Sequence, residues 1–259
     1  MILNEEKIKN SLKTKILGKD FYLFDSVTST FDKAETLPVS NGTVICAKEQ
    51  TNGRGRLGRE WVSQAGGVYF SIILNPKVYA QNLQIYTAIC AVGVQRAISK
   101  YVPCFIKWPN DIVSEDGKKL CGILTKAKFC DGKTPFINVG IGINANNSVA
   151  SSALPYASSL KECVKDEIDE NALLCDVLLE IEKCTEIDDI KKITDEFSKN
   201  CITLGRMVKI LLPGGESIKG KCISVDPDGS ALIEKDDKSL MKVNSGEVSV
   251  RGIYGEDYV

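Results

Sequence analysis

Residues 53–67 read Gly53-Arg54-Gly55-Arg56-Leu57-Gly58-Arg59-Glu60-Trp61-Val62-Ser63-Gln64-Ala65-Gly66-Gly67. The opening six positions match the spacing G-x-G-x-x-G. In a dinucleotide-binding fold that spacing opens a helix whose N-terminus faces the pyrophosphate. No helix is signalled here. An adjacent glycine pair closes the stretch, and GVYFSIIL from Gly67 is a run of β-forming residues. On the other side, TVICAKEQ from Thr43 also reads as a strand. The segment is therefore a loop between two strands, which argues against a doubly wound dinucleotide domain. Its three glycines let the backbone approach a ligand and turn N–H groups toward an anion. Its three arginines supply fixed forks of donors suited to phosphate or carboxylate. The interleaving favours an anion-binding loop over a solvated basic one.

Outward from this loop, the pattern alternates strands and helices. Ile8, Leu12 and Ile16 at spacing four, with Gly18 after them, predict an amphipathic helix over residues 5–17. FYLFDSV from Phe21 predicts a strand, and Ser29-Thr30 can cap a helix through Asp32 and Ala34. Residues 82–100 predict a mostly buried helix. FIKWPNDIVS from Phe105 predicts a strand broken at Pro109, with Asn110 and Asp111 at its end. A turn at SEDGKK leads into LCGILTKAK, and Asp131-Gly132-Lys133 would close a hairpin into PFINVGIGINAN. From Leu160 to about Asn200 the chain is charged and helical, with Leu173, Leu174, Val177, Leu178 and Ile181 at helical spacing. After Gly205, short strands alternate with Gly, Pro and Asp turns, as in a small barrel.

Composition narrows the chemistry. The chain has 259 residues, near two domains at about 150 residues each. With 33 Lys plus Arg against 34 Asp plus Glu, its net charge is −1, so bulk charge does not hold it to nucleic acid or membrane. It has no histidine, which removes Ser-His-Asp and Cys-His catalysis and histidine metal sites. Its ten cysteines include no CxxC half-site. With no secretory signal in MILNEEKIKN and no apolar run near about 18 residues, a reducing cytoplasm is expected. There is no GxxxxGK[ST] phosphate loop.

Three further segments carry chemistry. Lys107-Trp108-Pro109-Asn110-Asp111 gathers a cation, a ring and a carboxylate in one rigid bend. Lys119-Leu120-Cys121-Gly122-Ile123-Leu124 opens a strand with a lysine. Gly140-Ile141-Gly142-Ile143-Asn144 puts two glycines in an apolar strand, which weakens it unless something approaches the backbone closely.

Together with the Gly/Arg loop, and with Gln50 and the Ser29-Thr30 pair ahead of it, these segments resemble the biotin protein ligases in order and spacing. The resemblance covers about residues 21–160, and the small C-terminal barrel matches as well. It implies an α/β (α+β) fold: a catalytic domain over 1–202 with a mixed, largely antiparallel sheet, a helical connector at about 160–202, and an SH3-like β-barrel over 203–259. It implies activation of biotin with ATP and Mg²⁺ to biotinyl-5′-AMP, then transfer to one lysine of a biotin carboxyl carrier protein. By the same resemblance, Ser29, Thr30, Gln50, Arg54, Gly55, Arg56, Lys119 and Gly122 would contact biotin. Arg54, Arg56, Arg59, Trp61, Lys107 and Asn144 would contact ATP or the adenylate. Lys119, Asp111 and Arg56 would carry the chemistry, with Asp111 facing the acceptor lysine. Cytoplasmic location and a homodimer fit the family. With the first family strand near residue 21, no N-terminal DNA-binding domain is expected.

Two positions depart from the family pattern. Phe31 stands where the family usually has asparagine after Ser-Thr. The turn before Lys119 is one residue longer than expected, so Lys118 competes for that role. The nearest alternative is a lipoate or octanoate ligase or transferase. A nicotinamide-dependent oxidoreductase and a nucleic-acid-binding module are the rivals from other classes.

Overall fold

In the strand Phe136–Ile143, FINVGIGI, large apolar residues alternate from Ile137 onward, and the two faces of that strand organise the molecule. A computed structural model describes residues 3–75, 82–128, 136–149, 156–211, 217–244 and 249–251. Ile137, Val139, Ile141 and Ile143 point into the main hydrophobic core. Asn138, Gly140 and Gly142 point to the opposite face, as the period of two requires.

The first sheet has seven strands: β1 (Phe21–Val27), β2 (Val44–Gln50), β3 (Val68–Leu74), β4 (Cys104–Lys107), β5 (Asp111–Ser114), β6 (Lys119–Lys128) and β7 (Phe136–Ile143). Their order across the sheet is β1-β2-β3-β7-β6-β5-β4. Only β1 and β2 run parallel; the other pairs are antiparallel. The mixed, largely antiparallel sheet expected from sequence is present. The turn expected at residues 131–133 lies outside the described residues.

Helix α3 (Leu83–Ile98) lies on the core face of this sheet, and α5 (Glu170–Thr185) packs on α3. Leu173, Leu174, Val177, Leu178 and Ile181 of α5 are all fully buried. The charged segment 160–202 is therefore not a mere connector. Helices α4 (Leu160–Val164), α5 and α6 (Ile190–Lys199) include a layer of the main core, because α5 carries a wide apolar stripe. The short helix α2 (Thr30–Lys33) sits on the opposite face, against β3 and β7.

The N-terminal helix is shorter than its pattern predicts. Helix α1 (Glu5–Ser11) stops short of residue 17, and Ile16 is exposed. The backbone N–H groups of Lys15, Ile16 and Leu17 all donate to the Glu182 carboxylate of α5, at 2.5, 2.8 and 2.8 Å. That buried acceptor competes with the helix for the same donors.

The break at Pro109 is sharper than predicted. The Trp108–Pro109 peptide is cis, and β4 and β5 fold back on each other as an antiparallel hairpin with Lys107 paired to Asp111. Asn110 thus occupies the turn, and Asp111 starts a strand rather than ending one.

A second, five-stranded antiparallel sheet follows: β8 (Met207–Leu211), β9 (Ser217–Val225), β10 (Ala231–Lys235), β11 (Leu240–Val243) and β12 (Ser249–Arg251), in the order β11-β10-β9-β8-β12. Trp108 joins the two sheets. Its backbone N–H donates to Thr203 Oγ1 at 3.0 Å and its indole N–H to the Gly229 carbonyl at 2.9 Å.

Candidate active site

The parallel pair β1/β2 builds one end of the site. Because Val27 pairs with Gln50, both strands end side by side, and the residues just after β1 meet the last residue of β2. Ser29 caps α2 by accepting from the Phe31 N–H at 3.2 Å. The Thr30 N–H and hydroxyl both donate to Gln50 Oε1, at 2.7 and 3.2 Å. Phe31 is buried, its carbonyl accepting from Asn138 Nδ2 at 2.9 Å, and its ring lies over Gly140.

The Gly/Arg loop folds as a narrow ribbon. Gln50 bridges to Ser63 and Arg54 to Glu60, with the Gly55 N–H donating to Arg59 O and the Trp61 N–H to Gly53 O, each at 2.8 Å. A single 3₁₀ turn over 56–58 reverses the chain, with Leu57 at φ 57° and Gly58 at φ 74°. No α-helix starts there, as the sequence indicated. Arg54 Nε is 2.7 Å from Asp32 Oδ2 at the surface, and Arg59 is exposed at the rim. Arg56 turns inward, and its Nη1 donates to Asn110 Oδ1 at 2.7 Å. Burial, opposed by Asp111 and reinforced by Arg59, draws the Arg56 guanidinium below its ordinary value, but it stays charged at neutral pH.

Lys119 projects from the start of β6 to within 2.7 Å of Asp111 Oδ1 and 5.1 Å from the centre of the Trp61 ring. Its backbone is pinned on both sides: its N–H donates to Tyr156 O at 2.7 Å, and its carbonyl accepts from the Ser158 N–H at 3.1 Å. Lys118 instead reaches Asp116 in the exposed turn, at 3.2 Å. The longer turn therefore leaves Lys119, not Lys118, in the site. Lys107 is buried nearby, and Asn144 is fixed by its N–H to Leu120 O at 2.8 Å and by Asn147 Nδ2 at 3.2 Å.

The floor is backbone. A Cβ on Gly142 would overlap the Trp61 indole, and one on Gly122 would come within 2.9 Å of the same ring and 3.2 Å of Lys119 Cε. The glycines that weaken β7 are thus required by the side chains lying on them. These parts surround one cavity of about 450 Å³, and every site residue named from the sequence lines it. Five cationic side chains (Arg54, Arg56, Arg59, Lys107, Lys119) face two carboxylates (Glu60, Asp111) across it. Such an arrangement gathers anions and stabilises charge developing between them. Among the described residues, no group of three or more Cys, Asp or Glu could hold a metal by itself. Sequence reasoning missed Asn110, which aims Arg56; Asp32, which holds Arg54; and Tyr156, exposed at the mouth. Asn110 lay within a noted motif, but its partner is 54 residues away.

The site is thus a glycine-floored cationic cavity on a mixed sheet, with a second small sheet joined to it through Trp108. Residues 22–144 match the model of the Biotin/lipoate A/B protein ligase family, and residues 203–251 that of the biotin protein ligase C-terminal domain. The chain is 31% identical over 263 residues to the bifunctional ligase/repressor BirA of Bacillus subtilis, covering 96% of this chain and 79% of that one. It is 26% identical to the biotin--[acetyl-CoA-carboxylase] ligase of Mycobacterium tuberculosis, over 80% of this chain and 79% of that one. The biotin protein ligase of Aquifex aeolicus, solved with biotin and ATP, superposes with a TM-score of 0.79 at 33% identity, covering 90% of this chain and 99% of that one. The chain belongs to the biotin protein ligase family, the enzymes that attach biotin to protein.

Proposed function

We propose that the cavity activates biotin with MgATP to biotinyl-5′-AMP and then passes the biotinyl group to a lysine of a biotin carboxyl carrier protein. The observation that carries this reading is the convergence of Arg56, Lys107 and Lys119 over a glycine floor. In the first step a carboxylate oxygen attacks the α-phosphorus and pyrophosphate leaves. Two anions must meet, and fixed cations that need no reorganisation lower that barrier. Asn110 holds Arg56 in place before the ligand arrives. Magnesium would come as the counter-ion of ATP, held largely by phosphates and water, with Glu60 the carboxylate the cavity could add.

In the second step the acceptor Nζ attacks the acyl carbon, AMP leaves and one proton is lost. At pH 7 a lysine of pKa near 10.4 is protonated by about 3.4 units, roughly 4.6 kcal/mol. Asp111, at the mouth of the β4–β5 hairpin and already 2.7 Å from an ammonium, is suited to orient a second one. The biotin head would lie against Ser29, Thr30 and Gln50, and the adenylate against Arg59, Trp61 and Asn144. The match at residues 203–251, together with the bonds from Trp108 to Thr203 and Gly229, supports residues 203–259 as a second domain serving the same reaction. A cytoplasmic setting is supported by nine described cysteines that are all free thiols.

ATP–pyrophosphate exchange with biotin, lipoate or octanoate in separate reactions tests the reading. Exchange that requires biotin is expected. Exchange with lipoate or octanoate alone would reassign the pocket beside Phe31 to a fatty chain, and silence in all three would overturn adenylate formation.

A further inference from the structure

Thr30 and Gln50 belong to a longer chain of hydrogen bonds whose direction is fixed by one group. The Thr30 backbone N–H can only donate, so the oxygen of the Gln50 amide must face it, at 2.7 Å. The amide nitrogen then faces Ser63 Oγ, also at 2.7 Å. Having accepted there, the Ser63 hydroxyl donates its proton to the Trp61 carbonyl at 2.9 Å. At the other end, Ser71 of β3 donates to Thr30 Oγ1 at 3.1 Å, and Thr30 Oγ1 donates on to Gln50 Oε1. Every donor points the same way, from the sheet to the carbonyl of Trp61, whose ring lies on the glycine floor. Bonds aligned in this manner polarise one another.

Ser63 is buried, and it is the last link before the loop. Gly53 lies against this junction. A Cβ there would overlap the Trp61 carbonyl and come within 2.6 Å of Ser63 Oγ and 3.0 Å of Gln50 Nε2. The first glycine of the Gly/Arg loop is therefore the residue that lets Gln50, Ser63 and the Trp61 carbonyl meet.

We infer that Ser63 is a positioning residue: its hydroxyl latches the base of the Gly/Arg loop to the residues that receive the acid substrate, so that filling the Thr30–Gln50 end holds Trp61 and Arg56 over the reacting atoms. This rests on the proposed adenylate-forming reaction. It adds a role for a residue outside the cavity and a reason for a glycine at 53, where a Cβ would overlap the Trp61 carbonyl.

The test is Ser63→Ala in the full chain, read by biotin-dependent pyrophosphate exchange, by the rate at which preformed biotinyl-AMP dissociates, and by melting temperature. The expected result is a rise in KM for biotin and in adenylate release of about tenfold each, the ratio equivalent to losing about 1.4 kcal/mol. The kcat of exchange and the melting temperature should stay near those of the parent. Gly53→Ala, which forces the junction apart from the other side, should raise the same KM and release rate and also lower the melting temperature, because its Cβ would overlap the Trp61 backbone carbonyl. Unchanged KM and release in Ser63→Ala would overturn the latch. So would a fall in kcat that follows a lowered melting temperature with KM unmoved, since that marks a merely structural hydroxyl. The parent serves as the control: if it shows no biotin-dependent exchange, the proposed reaction fails rather than the latch.

Discussion

Asp111 and Lys119 form an ion pair at 2.7 Å in the wall of the cavity, and the roles of the two can be separated by experiment. Lys119 can leave its partner for a phosphate or carboxylate; Asp111 can then receive an incoming ammonium. Asp111→Asn keeps the shape and removes the charge. Pyrophosphate exchange is expected to stay within about threefold of the parent, while transfer from preformed adenylate to the carrier slows at least about tenfold, as for loss of a group that orients or takes a proton. Normal transfer would remove Asp111 from the second step. Arg56, Lys107, Asp111 and Lys119 were legible because they stand in short motifs with few alternative uses. Several of the residues that position the site were not. Asn110, Ser63 and Ser71 act through partners that chain folding brings near, and nothing local distinguishes them from ordinary turn or strand residues. Phe31 was legible as a departure, and the structure shows where it goes: into the wall, stacked on Gly140.

At the level of elements, runs of β-forming residues identified β1, β2, β3, β6 and β7, and the buried stripe identified α3 and α5. What the pattern did not disclose is where long-range contacts override it. α1 stops early because Glu182, far away in sequence, takes the next donors. Segment 160–202 reads as a connector by its charge, yet α5 covers α3. The close approach of these helices rests on Gly93, where a Cβ would come within 2.7 Å of Ile181 Cα. Gly93→Ala therefore sets two effects in opposition. Alanine favours a helix by about 1 kcal/mol over glycine, while overpacking costs about 1–3 kcal/mol. The second prevails, because the obstacle is backbone and cannot rotate away. A lower melting temperature is expected; a higher one would show that the helices separate freely.

For the molecule as a whole, stability against acid depends on groups of this buried kind. Burial alone would raise the Glu182 pKa, but the three backbone donors and Lys15 hold it below the ordinary carboxylate value. A carboxylate depressed in the folded state adds stability above its unfolded pKa, near 4.3, and loses it as pH falls through the lower folded value. Glu182→Gln should thus be destabilised by about 1–3 kcal/mol at neutral pH, with the gap to the parent closing below about pH 4. Melting curves at pH 7 and pH 3.5 measure it, and an equal gap at both would disprove the linkage. Net charge and the absence of histidine had indicated only which chemistries to discard; how the two sheets are joined was not readable at all, since Trp108 looks like any motif aromatic. That joint has a consequence for how such a chain can be remodelled. The bend that presents Asp111 to the cavity is moored through Trp108 to Thr203 and Gly229. Cutting the chain between its two sheets would leave a buried indole and an amide without acceptors directly behind the reactive centre. Insertions and chain breaks at this seam are accordingly expected to disturb the site itself.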